Sequence, residues 1–148
     1  MPGPSDLRVM IVEDQALLAM ELEFVLGDSG CDVVGCAMDR EAALAIADRE
    51  HPDLALIDVN LLDRVTGPGM ARRLVRDGTA VVFLTTNPEQ IPDGFSGALG
   101  AISKPVNEQT VRAVIDFARQ LILHRTVARP PRRFYPAPSL APAEAAPH

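Results

Sequence analysis

Lysine is nearly absent from this chain. Of its 14 basic residues only Lys104 is a lysine, and the rest are arginines. Lysine is therefore not used here as a general surface charge, and a lone ammonium points to a task that a guanidinium does not fill. Cysteine is almost as scarce. Cys31 and Cys36 lie five apart, which excludes a Cys-x-x-Cys redox pair. An odd spacing on one strand turns them to opposite faces, so they read as two small, partly buried hydrophobes. No apolar run approaches the ~20 residues needed to span a bilayer. The opening Met1-Pro2-Gly3-Pro4-Ser5-Asp6 lacks a charged segment followed by an apolar one, so no signal peptide is expected and the cytoplasm is the default location. A basic footprint is missing too. The formal net charge is −6, which argues against a nucleic-acid surface.

What is present is the composition of one soluble domain. The chain has 148 residues, 47% of them hydrophobic and 23% charged, enough for a single core with little left for a second. Leu7 to Val12 is a short apolar run that stops at Glu13-Asp14, and it reads as a buried strand ending in an acidic loop. A helical pattern follows from Gln15 to Gly27, with Leu18, Leu22 and Val25 on one stripe and Asp14 placed to cap it. Asp28-Ser29-Gly30 breaks that helix. Cys31 to Ala37 is a second strand and Arg40 to Glu50 an alanine-rich helix. Leu54 to Asp58 is a third strand, again ending on a carboxylate. A helix over Gly69 to Arg76, a strand over Ala80 to Leu84 ending in Thr85-Thr86, and a short strand over Gly100 to Ser103 ending in Lys104-Pro105 complete the alternation. The last helix runs from Asn107 to His124. Val111, Val114, Ile115, Ala118, Leu121 and Ile122 keep the 3.6 period, while Phe117 and Leu123 lie off it and could serve either the core or a contact face.

Alternating strands and helices imply a parallel sheet covered on both faces. Five strands at this length suggest the doubly wound, flavodoxin-like order. One crossover departs from the pattern. Asn87 to Leu99 holds Pro88, Pro92, Gly94 and Gly97, residues that break helices, so the fourth helix is expected to be short or irregular. The domain is expected over residues 5–124. Residues 125–148, rich in proline and alanine with arginines near the start, read as a disordered tail too short to be an output domain.

The chemistry collects at the carboxyl ends of the strands, where open α/β sheets bind ligands. Those ends carry Glu13 and Asp14, Asp58, Thr85 and Lys104. Three carboxylates in one cleft repel, and a divalent cation relieves the repulsion. Magnesium suits an oxygen-only site. Asp58 could then act as a nucleophile and form an acyl phosphate. Lys104 and the Thr85 hydroxyl would face the oxygens of the transferring group.

At this point the sequence resembles the response-regulator receiver domain of two-component signalling. The resemblance rests on Val-Glu-Asp at 12–14, Leu-Ile-Asp-Val-Asn at 56–60, Phe-Leu-Thr at 83–85 and Ser-Lys-Pro at 103–105, and covers Leu7 to about His124. It implies a stand-alone response regulator phosphorylated on Asp58 by a histidine kinase or phosphotransferase. It also implies that the backbone carbonyl of Asn60 joins Glu13, Asp14 and Asp58 around magnesium. Thr85, Thr86 and Lys104 are implied to contact the phosphoryl group, and the Lys104-Pro105 bond is a candidate for the cis form. A downstream protein of unknown identity and a homodimer through the last helix are further implied partners. Two positions depart from the common pattern. Ala101 stands where receivers often carry an aromatic switch residue, and Thr86 where a very small residue is usual. With the weak fourth helix, this is similar to the atypical receivers of alphaproteobacteria. Two other readings stay open. One is a phosphorylation-independent docking module with a vestigial site. The other is a haloacid-dehalogenase-type phosphohydrolase, disfavoured because Asn60 stands where such enzymes carry their acid/base aspartate.

Overall fold

A computed structural model of the chain describes residues 6–59, 67–88, 97–124 and 129–137. Strands β1 (Arg8–Val12), β2 (Asp32–Ala37), β3 (Leu54–Asp58), β4 (Ala80–Thr85) and β5 (Gly100–Ser103) alternate with helices α1 (Ala16–Asp28), α2 (Arg40–Glu50) and α3 (Gly67–Arg76). They are followed by α4 (Glu108–Ile122) and a sixth strand, β6 (Phe134–Pro136). The sheet order is β2-β1-β3-β4-β5-β6. The first five strands pair in parallel, and β6 joins β5 antiparallel. This is the expected doubly wound, flavodoxin-like sheet with one added edge strand.

Alternation along the strands creates two cores, because successive side chains point to opposite faces. Val9, Ile11, Leu54, Leu56, Val82, Leu84 and Ile102 pack with Leu22, Val25 and Leu26 of α1 and with Val111, Val114, Ile115 and Ala118 of α4. On the other face Met10, Val12, Ala55, Ile57, Val81, Phe83 and Ala101 meet Ala43 of α2 and Met70, Ala71 and Leu74 of α3. β3 is buried over its whole length, as a central parallel strand covered on both faces must be.

Several local expectations change. The residue capping α1 is Gln15, with no side-chain hydrogen bond, so Asp14 does not cap it. Instead the Glu13 carboxylate accepts the Gln15 N–H at 3.0 Å. Cys31 is buried as expected, but Cys36 is exposed. Phe117 proves to be core. The crossover between β4 and β5 contains no α-helix among its described residues, only 3-10 turns at Pro88 and Gly97, and the part of it that includes Pro92 and Gly94 lies outside them. The stretch read as a tail is the largest difference. Residues 134–137 belong to the sheet, with Phe134 and Ala137 buried. A three-residue strand is too short to show a period, and its proline is tolerated because an edge strand leaves one side unpaired. The arginines preceding it that are described, Arg129, Arg132 and Arg133, are exposed, in line with a solvated run.

Arginine does the stapling. Arg119 of α4 donates from Nε to Asp6 Oδ1 at 3.0 Å and from Nη2 to the Ser29 carbonyl, tying the last helix to the start of the chain and the end of α1. Arg112 reaches Asp28 Oδ2 at 2.6 Å. Each fork joins elements distant in sequence, a task that suits a planar, multi-donor group. No helix among the described residues is long and apolar enough to cross a membrane.

Candidate functional site

The sheet order reverses at β1, which pairs with β2 on one side and β3 on the other. The crevice beyond the carboxyl ends of β1 and β3 is therefore the place where this fold binds ligands. Glu13 follows β1 directly, with its N–H donated to the Ala37 carbonyl at 2.9 Å. Asp58 is the last residue of β3. Both are 2% exposed, whereas Asp14 is open to solvent. Carboxylate oxygens of the three lie within 4.8 Å of one another.

Lys104 enters from the far side. It follows β5, and its own N–H is donated to the Thr85 carbonyl at 2.8 Å. Its Nζ donates to Asp58 Oδ2 at 3.0 Å and stands 3.7 Å from Glu13 Oε1. The chain's lone lysine thus meets the two buried carboxylates, where a compact point charge with rotatable donors fits. The Lys104–Pro105 peptide bond is cis. Thr85 closes β4, 3% exposed, and its Oγ1 accepts the Asn87 N–H at 3.0 Å. Thr86 is exposed beside it. Asn60 lies outside the described residues.

Charge in this cluster is not balanced. Burial pushes the Glu13 carboxyl above its ordinary value. The Gln15 N–H opposes the shift, nearby Asp58 adds to it, and Lys104 offsets part of it. Glu13 Oε1 is buried and receives no hydrogen bond from the described residues. An orphaned buried carboxylate oxygen is costly. The carboxyl group lies with those of Asp14 and Asp58, and an all-oxygen set with one open side is the donor chemistry that a hard divalent cation such as magnesium takes. The residues present fit that ion.

Sequence reasoning thus names a set that the fold brings together at one sheet edge: Glu13, Asp14, Asp58, Thr85 and Lys104. It missed two features that border the set. One is β6, whose only signal was the aromatic pair Phe134-Tyr135 inside a proline-rich stretch. The other is Gly100, where an added Cβ would come within 2.4 Å of the Tyr135 carbonyl oxygen and 2.5 Å of the Phe134 ring. Tyr135 is also the direct cross-strand partner of Ala101, so the strand paired beside that alanine carries an aromatic residue at the matching position.

Comparison with known proteins agrees with this geometry. The model of the response regulator receiver domain matches residues 9–116. The chain is 34% identical over 114 residues to the phyllosphere-induced regulator PhyR of Methylorubrum extorquens, covering 75% of this chain and 43% of that protein. It is 32% identical over 108 residues to a protein-glutamate methylesterase/protein-glutamine glutaminase of Anaeromyxobacter dehalogenans, covering 70% of this chain and 31% of that one. Among solved structures, the receiver domain of PhyR from Erythrobacter litoralis superposes with a TM-score of 0.67 at 31% identity, over 77% of this chain and 90% of that one. The chain spans less than half the length of the two curated relatives. The PhyR matches support the likeness to the atypical alphaproteobacterial type. With Glu13, Asp14, Asp58 and Lys104 gathered in one crevice and the family match over most of its length, the chain belongs to the response-regulator receiver domains of two-component signalling.

Proposed function

We propose that this chain is a phosphorylation switch whose phosphoacceptor is Asp58. The observation that supports it best is the 3.0 Å contact between Lys104 Nζ and Asp58 Oδ2 inside a cluster that also holds Glu13 and Asp14. A donor phosphohistidine would lose its P–N bond as an Asp58 carboxylate oxygen forms the new O–P bond, and the imidazole would leave as the neutral ring after taking up a proton. Glu13, Asp14 and Asp58 would hold magnesium, which supplies positive charge against the phosphoryl oxygens. Lys104 holds Asp58 in place before transfer and offers its ammonium to the same oxygens afterwards. Thr85 donates its hydroxyl hydrogen at the rim.

The donor would be a histidine kinase or phosphotransferase acting in the cytoplasm. Its docking face would be α1, which starts beside Asp14. Leu17, Met20 and Phe24 are 75%, 65% and 66% exposed there, an apolar stripe at helical spacing. A groove of about 340 Å³ runs between this helix and the start of α4, bordered by Leu18, Leu22, Val106 and Val111. A homodimer through α4 would rest on polar contacts, since Val111, Val114, Ile115, Phe117 and Ala118 are buried in the core. The signal would pass onward by contact with a downstream protein. Haloacid-dehalogenase-type phosphohydrolysis fits the residue set less well, because position 60 is an asparagine and an amide transfers no acid/base proton.

Mass spectrometry after incubation with acetyl phosphate and magnesium tests the reading. The wild type is expected to gain one phosphoryl group and Asp58→Asn none. Equal gain by both would remove Asp58 from its role. No gain by either, together with unchanged partner binding by Asp58→Asn, would favour the phosphorylation-independent docking module.

A further inference from the structure

β5 has four residues and carries Lys104 at its end. β4 holds one of its edges. Its other edge would present a row of unpaired N–H and C=O groups if β6 did not cover it. Gly100, Ala101 and Ile102 pair with Pro136, Tyr135 and Phe134, and the Ala137 N–H is donated to the Leu99 carbonyl at 2.8 Å. The strand is anchored by one aromatic side chain. Phe134 is 5% exposed, with its ring centroid 5.2 Å from that of Phe117. Gly100 has no side chain where any Cβ would strike the backbone and ring of β6. The fit is therefore built from both sides: an aromatic residue reaches in and a glycine makes room.

The consequence lies at the end of β5. The Lys104 ammonium works at 3.0 Å from Asp58, and displacement by about 1 Å is enough to degrade such a contact. A strand paired on both edges resists sliding and twisting, and one paired on a single edge resists them less. We propose that β6 is a positioning element of the phosphoacceptor site, clamping the outer edge of β5 so that Lys104 is held where it meets an anion on Asp58. This rests on the phosphoacceptor reading and extends it to residues 134–137, which lie outside the 9–116 family match. By linkage the coupling is reciprocal. An anion on Asp58 tightens β6, and loosening β6 weakens anion binding. Magnesium alone, which meets the carboxylates of β1 and β3, is insensitive to β6.

The chain contains its own reporter. It has no tryptophan and a single tyrosine, Tyr135, on β6, so tyrosine emission reads this strand and nothing else. The test loads the full chain with beryllofluoride and magnesium, follows bound fluoride by fluorine NMR, and measures acrylamide quenching of Tyr135. Loading the wild type is expected to reduce the quenching. Phe134→Ala and Gly100→Val are expected to raise it in the unloaded state and to weaken beryllofluoride roughly fivefold or more, with magnesium affinity within about twofold of wild type and partial recovery in Phe134→Leu. Bound fluoride in the wild type with unchanged quenching overturns the proposal, and that result stands even where a variant fails to fold. Variants that free Tyr135 yet bind beryllofluoride as the wild type does overturn it as well. Absence of any bound fluoride in the wild type overturns the phosphoacceptor reading and the clamp with it.

Discussion

At the residue scale the candidate site is held under electrostatic tension by Glu13. Its side chain is fully buried, one oxygen receives no hydrogen bond from the described residues, and burial raises its pKa. A raised carboxylate pKa means that the folded state binds the proton more tightly than the unfolded chain does. The associated stability is fully present below the ordinary value of 4.5 and is lost as pH rises through the folded value. In the metal-free protein the contribution of Glu13 to stability is thus expected to fall as pH rises above 4.5. Glu13→Gln removes that loss. It should raise the neutral-pH melting temperature of the metal-free protein while weakening magnesium binding at least tenfold, about 1.4 kcal/mol. Melting curves across pH, paired with a magnesium titration, check both halves. A variant less stable than wild type at neutral pH would show that Glu13 is retained for folding and not for the ion. Lys104 is the complementary case. Lys104→Met should keep magnesium binding and lose phosphoryl acceptance, because it removes the ammonium and leaves all three carboxylates.

At the element scale α1 and α4 are opposites. α4 spends its apolar stripe on the core and its arginines on ion pairs, with Arg112 bound to Glu108 and Asp28, and Arg119 to Asp6 and Asp116. α1 is apolar on both sides, and Leu17, Met20 and Phe24 face solvent. Solvent-exposed apolar residues at helical spacing add little to stability, so Phe24→Asp should change it by no more than about 0.5 kcal/mol. The same change should slow phosphotransfer from a protein donor while leaving transfer from acetyl phosphate unaffected. Parallel assays with the two donors separate docking from chemistry. Equal slowing with both would place Phe24 in the site's own support.

At the scale of the whole molecule two cores share one sheet, and the central strand feeds both. Leu56 is fully buried between β-sheet neighbours, α1 and α4. Leu56→Ala should cost about 3 kcal/mol, read as a shifted denaturant midpoint. Ending the chain at His124 keeps the whole family match yet strips the β5 edge. The truncated chain is expected to melt lower and to self-associate through that edge, which light scattering would register. A truncated chain that stays monomeric with an unchanged melting temperature would make β6 dispensable to the fold.

The sequence alone determined the alternation of strands and helices, because buried parallel strands read as apolar runs and the helices as 3.6-residue stripes. It also determined which residues collect at the strand ends, since each run stops on a polar group: Glu13-Asp14, Asp58, Thr85 and Lys104. Only the tertiary structure decided what depends on distance and enclosure. It put Lys104 against Asp58 and left Glu13 buried but Asp14 exposed. It also took the capping role from Asp14 and turned Phe117 inward. It drew Phe134 to Pro136 onto β5, where three residues too few for any periodic signal are held by pairing with a strand more than thirty residues earlier and by the space that Gly100 leaves open. Local pattern is written in neighbours along the chain. A short edge strand is stabilised by partners far along it, and those partners exist only once the sheet has formed.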